Sequence, residues 1–259
     1  MSQNKGIRNV KYLKKVIISS DVYAVCIEHA LTNESQEIMG LLVGEIDQIE
    51  CVTTIHACII LHRSDKRRDR VEISPEQLCN ASIQAEKLCS ILDRRVQIVG
   101  WYHSHPHITI NPSVVDIRTQ STYQLMDPLF VGLIFSVFTY NKLMHDHRVE
   151  VICFQADPDE EKVDVPLIIN NSPMKLCNLE AICNLPKILI EEEVESHNIT
   201  NNDTKDPITK LHNEACKTLA VTHIVSKLSR PLCEALIERL NATKLRIKEL
   251  QAIKNKLTR

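Results

Sequence analysis

No run of hydrophobic residues in this sequence is long enough to cross a membrane. The longest uncharged apolar stretch, Leu129 to Phe138, is about half of the roughly 20 residues that a spanning helix needs. We also expect no secretory signal, because a polar and basic start is followed only by the short apolar segment Val16 to Ile18. The formal net charge of −2 gives no reason to expect binding to nucleic acid or to an anionic membrane surface.

Closely spaced cysteine pairs are missing too. The ten cysteines include no C-x-x-C pair, which is the spacing of zinc knuckles and redox motifs. With no export signal expected, a reducing compartment is favoured. We therefore expect free thiols, most of them buried, rather than disulfides.

Hydrophobic periodicity and helix-start residues predict a fold in which helices and strands alternate. The 259 residues, of which 44% are hydrophobic and 25% charged, suit one large globular domain with an appendage. Helices are predicted at Ser20–Leu31, Ser74–Leu92 and Ser113–Met126. Strands are predicted at Ile38–Ile46, Glu50–Leu61, Gln97–His103, Leu129–Phe138, Arg148–Gln155 and Val163–Asn170. This order predicts the α/β class, with a mixed β-sheet flanked by helices.

The character of the chain changes after Asn171. Residues 191–207 are polar and predict a linker, and helices are predicted at Ile208–Leu228 and Pro231–Leu257. The predicted domains are therefore 1–171, then a helix and polar linker at 172–207, and a helical dimerisation region at 208–259. In the last helix, residues spaced alternately four and three apart form a mostly apolar stripe: Leu236, Leu240, Thr243, Ile247, Leu250, Lys254 and Leu257. Three heptads favour pairing with another chain in a bundle or coiled coil, and the alternative is a helix that packs on its own domain.

Three histidines occur within five positions of the stretch GWYHSHPHITINPSVVDI, residues 100–117. His103 and His105 are two apart on a predicted strand, so their side chains leave the same face. Ser113 and Asp116 follow at the start of the next predicted helix. Two imidazoles and one carboxylate supply three ligands for Zn²⁺ and leave a fourth position open for water, as in catalytic zinc sites. Such a site makes hydroxide available near neutral pH.

Each part of this cluster also has a simpler interpretation. A second His-x-His, at His145 and His147, falls in a predicted hairpin turn, where a solvated loop is the better interpretation. Ser113 and Asp116 have the spacing of a helix capping box. The whole pattern H-x-H-x7-S-x-x-D, however, should arise in roughly one shuffled chain per thousand, which favours a catalytic site. Ser113 can then both cap its helix and direct a hydroxyl at the reacting carbonyl.

The cluster resembles the motif of the JAMM (MPN+) metalloprotease family. That motif is H-S-H-P-x6-S-x-x-D, with an upstream glutamate, here Glu37, before a G-L-L-V-G strand. Within the family, the stretches EIMGLLVGEI, RSDKRRDRVEISPEQL, VGWYHSHPHITINPSVVDIRTQSTYQLMD and FVGLIFSVF resemble the BRCC-type deubiquitinases. The resemblance is close over residues 20–155 and extends to the general layout of the C-terminal helices.

The resemblance implies an MPN (JAMM) fold and one Zn²⁺ per chain, held by His103, His105 and Asp116. It implies that Glu37 is the general base that takes a proton from the attacking water and returns it to the leaving lysine amine. Ser113, with the metal, would stabilise the tetrahedral oxyanion. A single carboxylate can act first as base and then as acid, and an amine leaves well only when it is protonated.

The resemblance also implies a substrate and partners. The substrate is polyubiquitin linked through lysine 63. The chain would be the catalytic subunit of the BRISC complex and of a nuclear DNA-damage counterpart, in the cytoplasm and nucleus. An inactive MPN-minus partner would bind through the MPN domain and paired C-terminal helices. The alternative is a noncatalytic MPN scaffold, like those of the proteasome lid and of translation initiation factors, but those relatives lack the ligand residues that this chain has.

Two loops and one aromatic residue complete the expectations. The basic loop Arg63–Arg70 and the loop Tyr140–Arg148 flank the predicted groove, where they would read ubiquitin. The basic cluster can equally be a solvated face, a nuclear-import patch or a flexible loop. Trp101, which stands in a predicted strand, is interpreted as a core residue.

Overall fold

The computed structural model describes residues 12–63, 75–141 and 146–257, and the side chains of 139–147 and 203 are outside this description. The chain divides into two compact units, Met1–Ile182 and Cys183–Arg259, and each is described by itself. Among the described residues, no helix combines the length and the apolar character that crossing a bilayer requires.

Within the described residues of the first unit, eight strands form one mixed sheet. The strands are β1 (Lys15–Ser19), β2 (Met39–Asp47), β3 (Val52–Ile60), β4 (Gln97–Pro106), β5 (Val131–Asn141), β6 (Asp146–Ala156), β7 (Lys162–Asp164) and β8 (Leu167–Asn170). Their order across the sheet is β7-β6-β5-β4-β2-β3-β1-β8. The pairs β4–β5, β1–β3 and β1–β8 are parallel, and the others are antiparallel. The predicted mixed sheet is confirmed.

The segment predicted as one strand, Val163–Asn170, is two strands at opposite edges of the sheet. Between them, Val165 N donates to Cys153 O on β6, and Pro166 O accepts from Val16 N on β1. The neighbouring residues Val165 and Pro166 thus bond to strands near opposite ends of the strand order, which requires the sheet to curl. Pro166 interrupts the strand because proline has no N–H for the ladder.

The helices of this unit lie on the two faces of the curled sheet. They are α1 (Ser20–Leu31), α2 (Pro75–Leu92) and α3 (Val114–Gln124), and the unit also includes the start of α4 (Leu176–Asp203). Side chains that alternate along a strand face opposite cores. On β4, Tyr102 belongs to the core that includes Val22 and Val25 of α1, while Trp101 belongs to the core that includes Ile117 of α3. His103 and His105 have the same parity as Trp101, so β4 directs them to the side of α3.

The second unit consists of helices. The predicted polar linker is wrong for residues 191–203, which continue α4. Glutamate is a good helix former, so a polar, glutamate-rich segment does not have to be a loop. The break between helices is confined to residues 204–206, because α5 (Pro207–Ile224) begins directly after them. Asp206 is its N-cap and accepts from Thr209 N at 2.8 Å, and Pro207 stands in the first turn.

The predicted break before Pro231 is also absent from the structure. A π-helical turn, Val225–Ser229, joins α5 directly to α6 (Arg230–Leu257). Pro231 is the second residue after this π turn. Proline has no N–H to donate to the preceding turn and its ring crowds the carbonyl four residues back, and the wider π turn at that place accommodates both effects.

A candidate metal centre

Strand β4 brings two imidazoles to one buried position. His103 and His105 are 1% and 3% exposed, and their Nε2 atoms lie 3.1 Å apart. The Nδ1 of His105 lies 2.7 Å from the carbonyl oxygen of Thr109. Because a carbonyl only accepts, His105 Nδ1 carries the proton and its Nε2 lone pair faces His103.

The first turn of α3 supplies the carboxylate. Ser113 is the N-cap, and its hydroxyl accepts from Asp116 N at 3.2 Å, while Ser113 N donates to Asp116 Oδ2 at 2.6 Å. The predicted capping box is therefore present, and it orients the Asp116 side chain. Asp116 Oδ1 lies 3.4 Å from His103 Nε2, and Oδ2 lies 3.5 Å from His105 Nε2.

The electrostatics of this group favour a cation. Burial opposes ionisation of Asp116, but its hydrogen bonds to His103, His105 and Ser113 hold its pKa well below the ordinary range. Burial likewise opposes protonation of His105. The pKa of His105 is nevertheless raised, because Asp116 and the Thr109 carbonyl bind its cationic form and the charges of Asp116 and Glu37 add to this.

These three residues form a metal-binding arrangement. One potential ligand atom from each of His103, His105 and Asp116 lies within 4.8 Å of the others, and all three residues are buried. Two imidazole nitrogens that face each other across 3.1 Å beside an ionised carboxylate suit a shared cation. The sequence predicted these three ligands, and the structure brings them together. The second His-x-His pair lies outside the described side chains.

Glu37, the predicted general base, precedes β2 on a partly buried segment that is tied to β4. Ile38, the residue after Glu37, makes two hydrogen bonds with Ser104, which stands between the two histidines. Ile38 N donates to Ser104 Oγ at 3.0 Å, and Ser104 N donates to Ile38 O at 3.0 Å. Glu37 is close enough for its charge to contribute to the raised pKa of His105. The hydrogen bonds of Ile38 thus tie the Glu37 segment to the strand that bears both histidines.

Arg63 has a different position from the one expected of a substrate-reading loop. It is buried, and its guanidinium donates to Gln36 Oε1 at 3.3 Å and to Glu37 O at 3.5 Å. Arg63 thus supports the Glu37 segment from inside. Residues 64–70, and the side chains of 140–147, are outside the described parts of the chain, so the remaining expectations for the two loops stay predictions.

Sequence reasoning missed Ser104 and Arg63 as supports of the site. For Ser104 a signal existed, because it occupies the strand position between two ligands and must face the opposite side. For Arg63 the sequence contains no such signal, because a cationic residue close to other basic residues is ordinarily predicted to be exposed to solvent. Trp101, interpreted as core, is 1% exposed, and its ring also stacks on His103 with centroids 4.6 Å apart.

Comparison with known proteins gives two family matches. Residues 11–129 match the family described as JAB1/Mov34/MPN/PAD-1 ubiquitin protease, and residues 178–257 match the BRCC36 C-terminal helical domain. A Xenopus laevis protein named Lys-63-specific deubiquitinase BRCC36 is 45% identical over 253 residues, which cover 95% of this chain and 96% of that protein. A Camponotus floridanus protein of the same name is 45% identical, over 92% of this chain and 93% of that protein. The Rattus norvegicus protein of this name is 41% identical, over 96% of this chain and 96% of that protein.

Proposed function

The chain belongs to the BRCC36 family of Lys-63-specific deubiquitinases, and on this premise we propose that it is a zinc-dependent isopeptidase that cleaves lysine 63-linked polyubiquitin. The observation that carries the proposal is the convergence of His103, His105 and Asp116 on one buried point. A noncatalytic scaffold has no need of such a group. The alternative scaffold function is therefore disfavoured.

Zinc is the metal that fits this donor set best. Neutral imidazole nitrogens with one carboxylate oxygen are typical zinc ligands, and three protein ligands leave a position for the substrate chemistry. The carbonyl of Thr109 supplies the outer hydrogen bond that fixes one ligand ring. When bound, zinc supplies a Lewis acid that makes water nucleophilic near neutral pH and polarises the scissile carbonyl.

The protein's own groups divide the remaining work between proton transfer and charge stabilisation. Glu37 accepts the proton of the attacking water and delivers it to the lysine amine as the isopeptide bond breaks. The Ser113 hydroxyl accepts from Asp116 N, which leaves its own proton free to donate to the developing oxyanion. Ser104 and Arg63 hold the Glu37 segment in position from two sides.

The partner in this proposal is an MPN-minus protein that pairs with the C-terminal helices. The match to the BRCC36 C-terminal domain supports this choice. Along α6, large apolar side chains are exposed at four positions of the predicted heptad stripe: Leu240, Ile247, Leu250 and Leu257. Pairing would cover them and, through the MPN domain, order the Glu37 segment. The assembly would be a BRISC-like complex of cytoplasm and nucleus.

Cleavage of a panel of differently linked diubiquitins tests the proposal. The purified chain is assayed alone and with its MPN-minus partner, with and without a zinc chelator. We expect cleavage of the lysine 63 linkage, stimulated by the partner and abolished by the chelator, with other linkages left intact. Cleavage that survives complete zinc removal, or no cleavage under any condition, would contradict it.

A further inference from the structure

The two histidines of the metal centre are supported in different ways. His105 Nδ1 donates to the Thr109 carbonyl, the usual arrangement for a metal ligand. His103 Nδ1 is buried, and no hydrogen-bond partner for it lies among the described residues. Among the described residues, packing rather than a hydrogen bond at Nδ1 therefore orients the His103 ring.

The indole of Trp101 is stacked on that ring, whereas the His105 ring meets it edge-on. The two rings stack with an interplanar angle of 18° and a centroid separation of 4.6 Å. A stacked neighbour limits rotation of the imidazole only if the indole is itself fixed. Trp101 is fixed by one polar contact, because its Nε1 donates to Gln120 Oε1 at 2.8 Å.

Gln120 is a fully buried amide on α3, one turn after Asp116. Its Nε2 donates to Phe130 O and to Gln124 Oε1, both at 2.8 Å. Gln124 in turn exchanges hydrogen bonds with the backbone of Ala156 on β6. Every hydrogen of the Gln120 amide is used, so its orientation is fixed by the surrounding fold.

The sheet leaves room for this amide at one glycine. Gly132 pairs with Trp101 across β4 and β5, and a Cβ at Gly132 would lie 2.6 Å from the Phe154 ring and 3.1 Å from Gln120 Oε1. Any larger residue at that position would press on the Phe154 ring and on the group that anchors Trp101.

We infer that Gln120 and Trp101 are positioning residues for His103, and that the fixed, stacked Trp101 ring does for His103 what the hydrogen bond donated to the Thr109 carbonyl does for His105. The inference rests on the proposed metal function of the site. Helix α3 then supports the centre twice, directly through Asp116 and indirectly through Gln120. Loss of outer support of this kind ordinarily weakens metal binding about 10–100-fold.

The test compares two buried glutamines. Gln120→Met removes the Trp101 anchor, while Gln155→Met is the matched control. Gln155 is equally buried and also donates to Phe130 O, but its other contacts are with Leu13 and Pro128. For each protein the zinc dissociation constant is measured by chelator competition. The visible spectrum of the cobalt-substituted protein reports the geometry of the ligands.

We expect Gln120→Met to weaken zinc binding about 10–100-fold and to change the cobalt spectrum, with Gln155→Met close to the unmodified chain. Trp101 is the only tryptophan in the sequence, so cobalt quenching of its emission in the unmodified chain reports metal beside His103. That quenching should become weaker in Gln120→Met, because the indole is released.

Equal metal affinities and equal cobalt spectra for the two glutamine variants would overturn the inference, and so would equal losses in both. If Gln120→Met does not fold, Trp101→Phe decides in its place: it keeps Gln120 but removes the anchoring N–H. Weakened zinc binding supports the inference, and unchanged binding overturns it. Failure of the unmodified chain to bind zinc or cobalt would instead overturn the proposed function.

Discussion

Ser113 has a capping role in the structure and an oxyanion role in the proposed reaction, and substitution can separate the two. Its hydroxyl caps α3 by accepting from Asp116 N, and in the proposed reaction the same hydroxyl donates its proton to the oxyanion. The bond from Ser113 N to Asp116 Oδ2 belongs to the backbone and survives any non-proline substitution. Variants at this position should therefore keep Asp116 in place and retain zinc.

The magnitudes of the two roles differ enough to decide between them. Loss of an N-cap on substitution by alanine costs about 1 kcal/mol of unfolding free energy, and substitution by glycine costs only a few tenths. A domain that is stable by about 5–15 kcal/mol remains folded in either case. Loss of one oxyanion donor costs roughly 10²–10³ in kcat.

Ser113→Ala and Ser113→Gly should consequently lose about the same 10²–10³ in kcat although only the alanine variant loses appreciable stability. Ser113→Thr keeps a hydroxyl and a cap and should recover most of both. The assays are lysine 63 diubiquitin cleavage and chemical unfolding, with zinc content as control. A glycine variant with kcat close to that of the unmodified chain would refute the oxyanion role and leave Ser113 as a cap.

Three other predictions follow from the same structure. Glu37→Gln should keep one zinc per chain but lose turnover, whereas His105→Gln should lose both, and normal diubiquitin cleavage by the first variant would exclude Glu37 as the base. Ser104→Ala leaves the buried Ile38 N–H without its side-chain acceptor, so unfolding free energy should fall by about 1–3 kcal/mol and turnover should fall with zinc retained; unchanged turnover would contradict the supporting role. Burial, with the charge of Arg63, lowers the pKa of His29 from 6.5 to about 3. Below pH 6.5 the unfolded chain therefore binds a proton at His29 that the folded chain does not bind, and the free energy of unfolding falls. In denaturant titrations, the free energy of unfolding should therefore fall by about 2 kcal/mol less between pH 7 and pH 5 in His29→Gln than in the unmodified chain. The same pH dependence in both proteins would contradict a buried, neutral His29.

The parts of the fold that sequence predicted well are those with a local signal. Helix α3 has its capping box, and β5 has the long apolar run that is typical of a buried strand. The convergence of His103, His105 and Asp116 was also predictable, because strand alternation puts both histidines on one face and the next helix starts close to the carboxylate. None of these inferences needed contacts between distant residues.

The parts that were missed depend on tertiary contacts. Strand β1 is a short apolar segment that becomes a strand only between β3 and β8. Polarity in residues 191–203 indicated a linker, although a helix can be polar over most of its surface. The burial of Arg63 and the Trp101–Gln120 contact join segments 26 and 19 residues apart, and no periodicity in the sequence signals either.

Zinc content of the purified chain, measured by mass spectrometry beside the Asp116→Asn and His105→Gln variants, tests the metal centre most directly. One zinc per unmodified chain, with substantially less in both folded variants, is the predicted result. A chain purified with zinc available that contains none, or variants that bind it as well as the unmodified chain, would contradict the account.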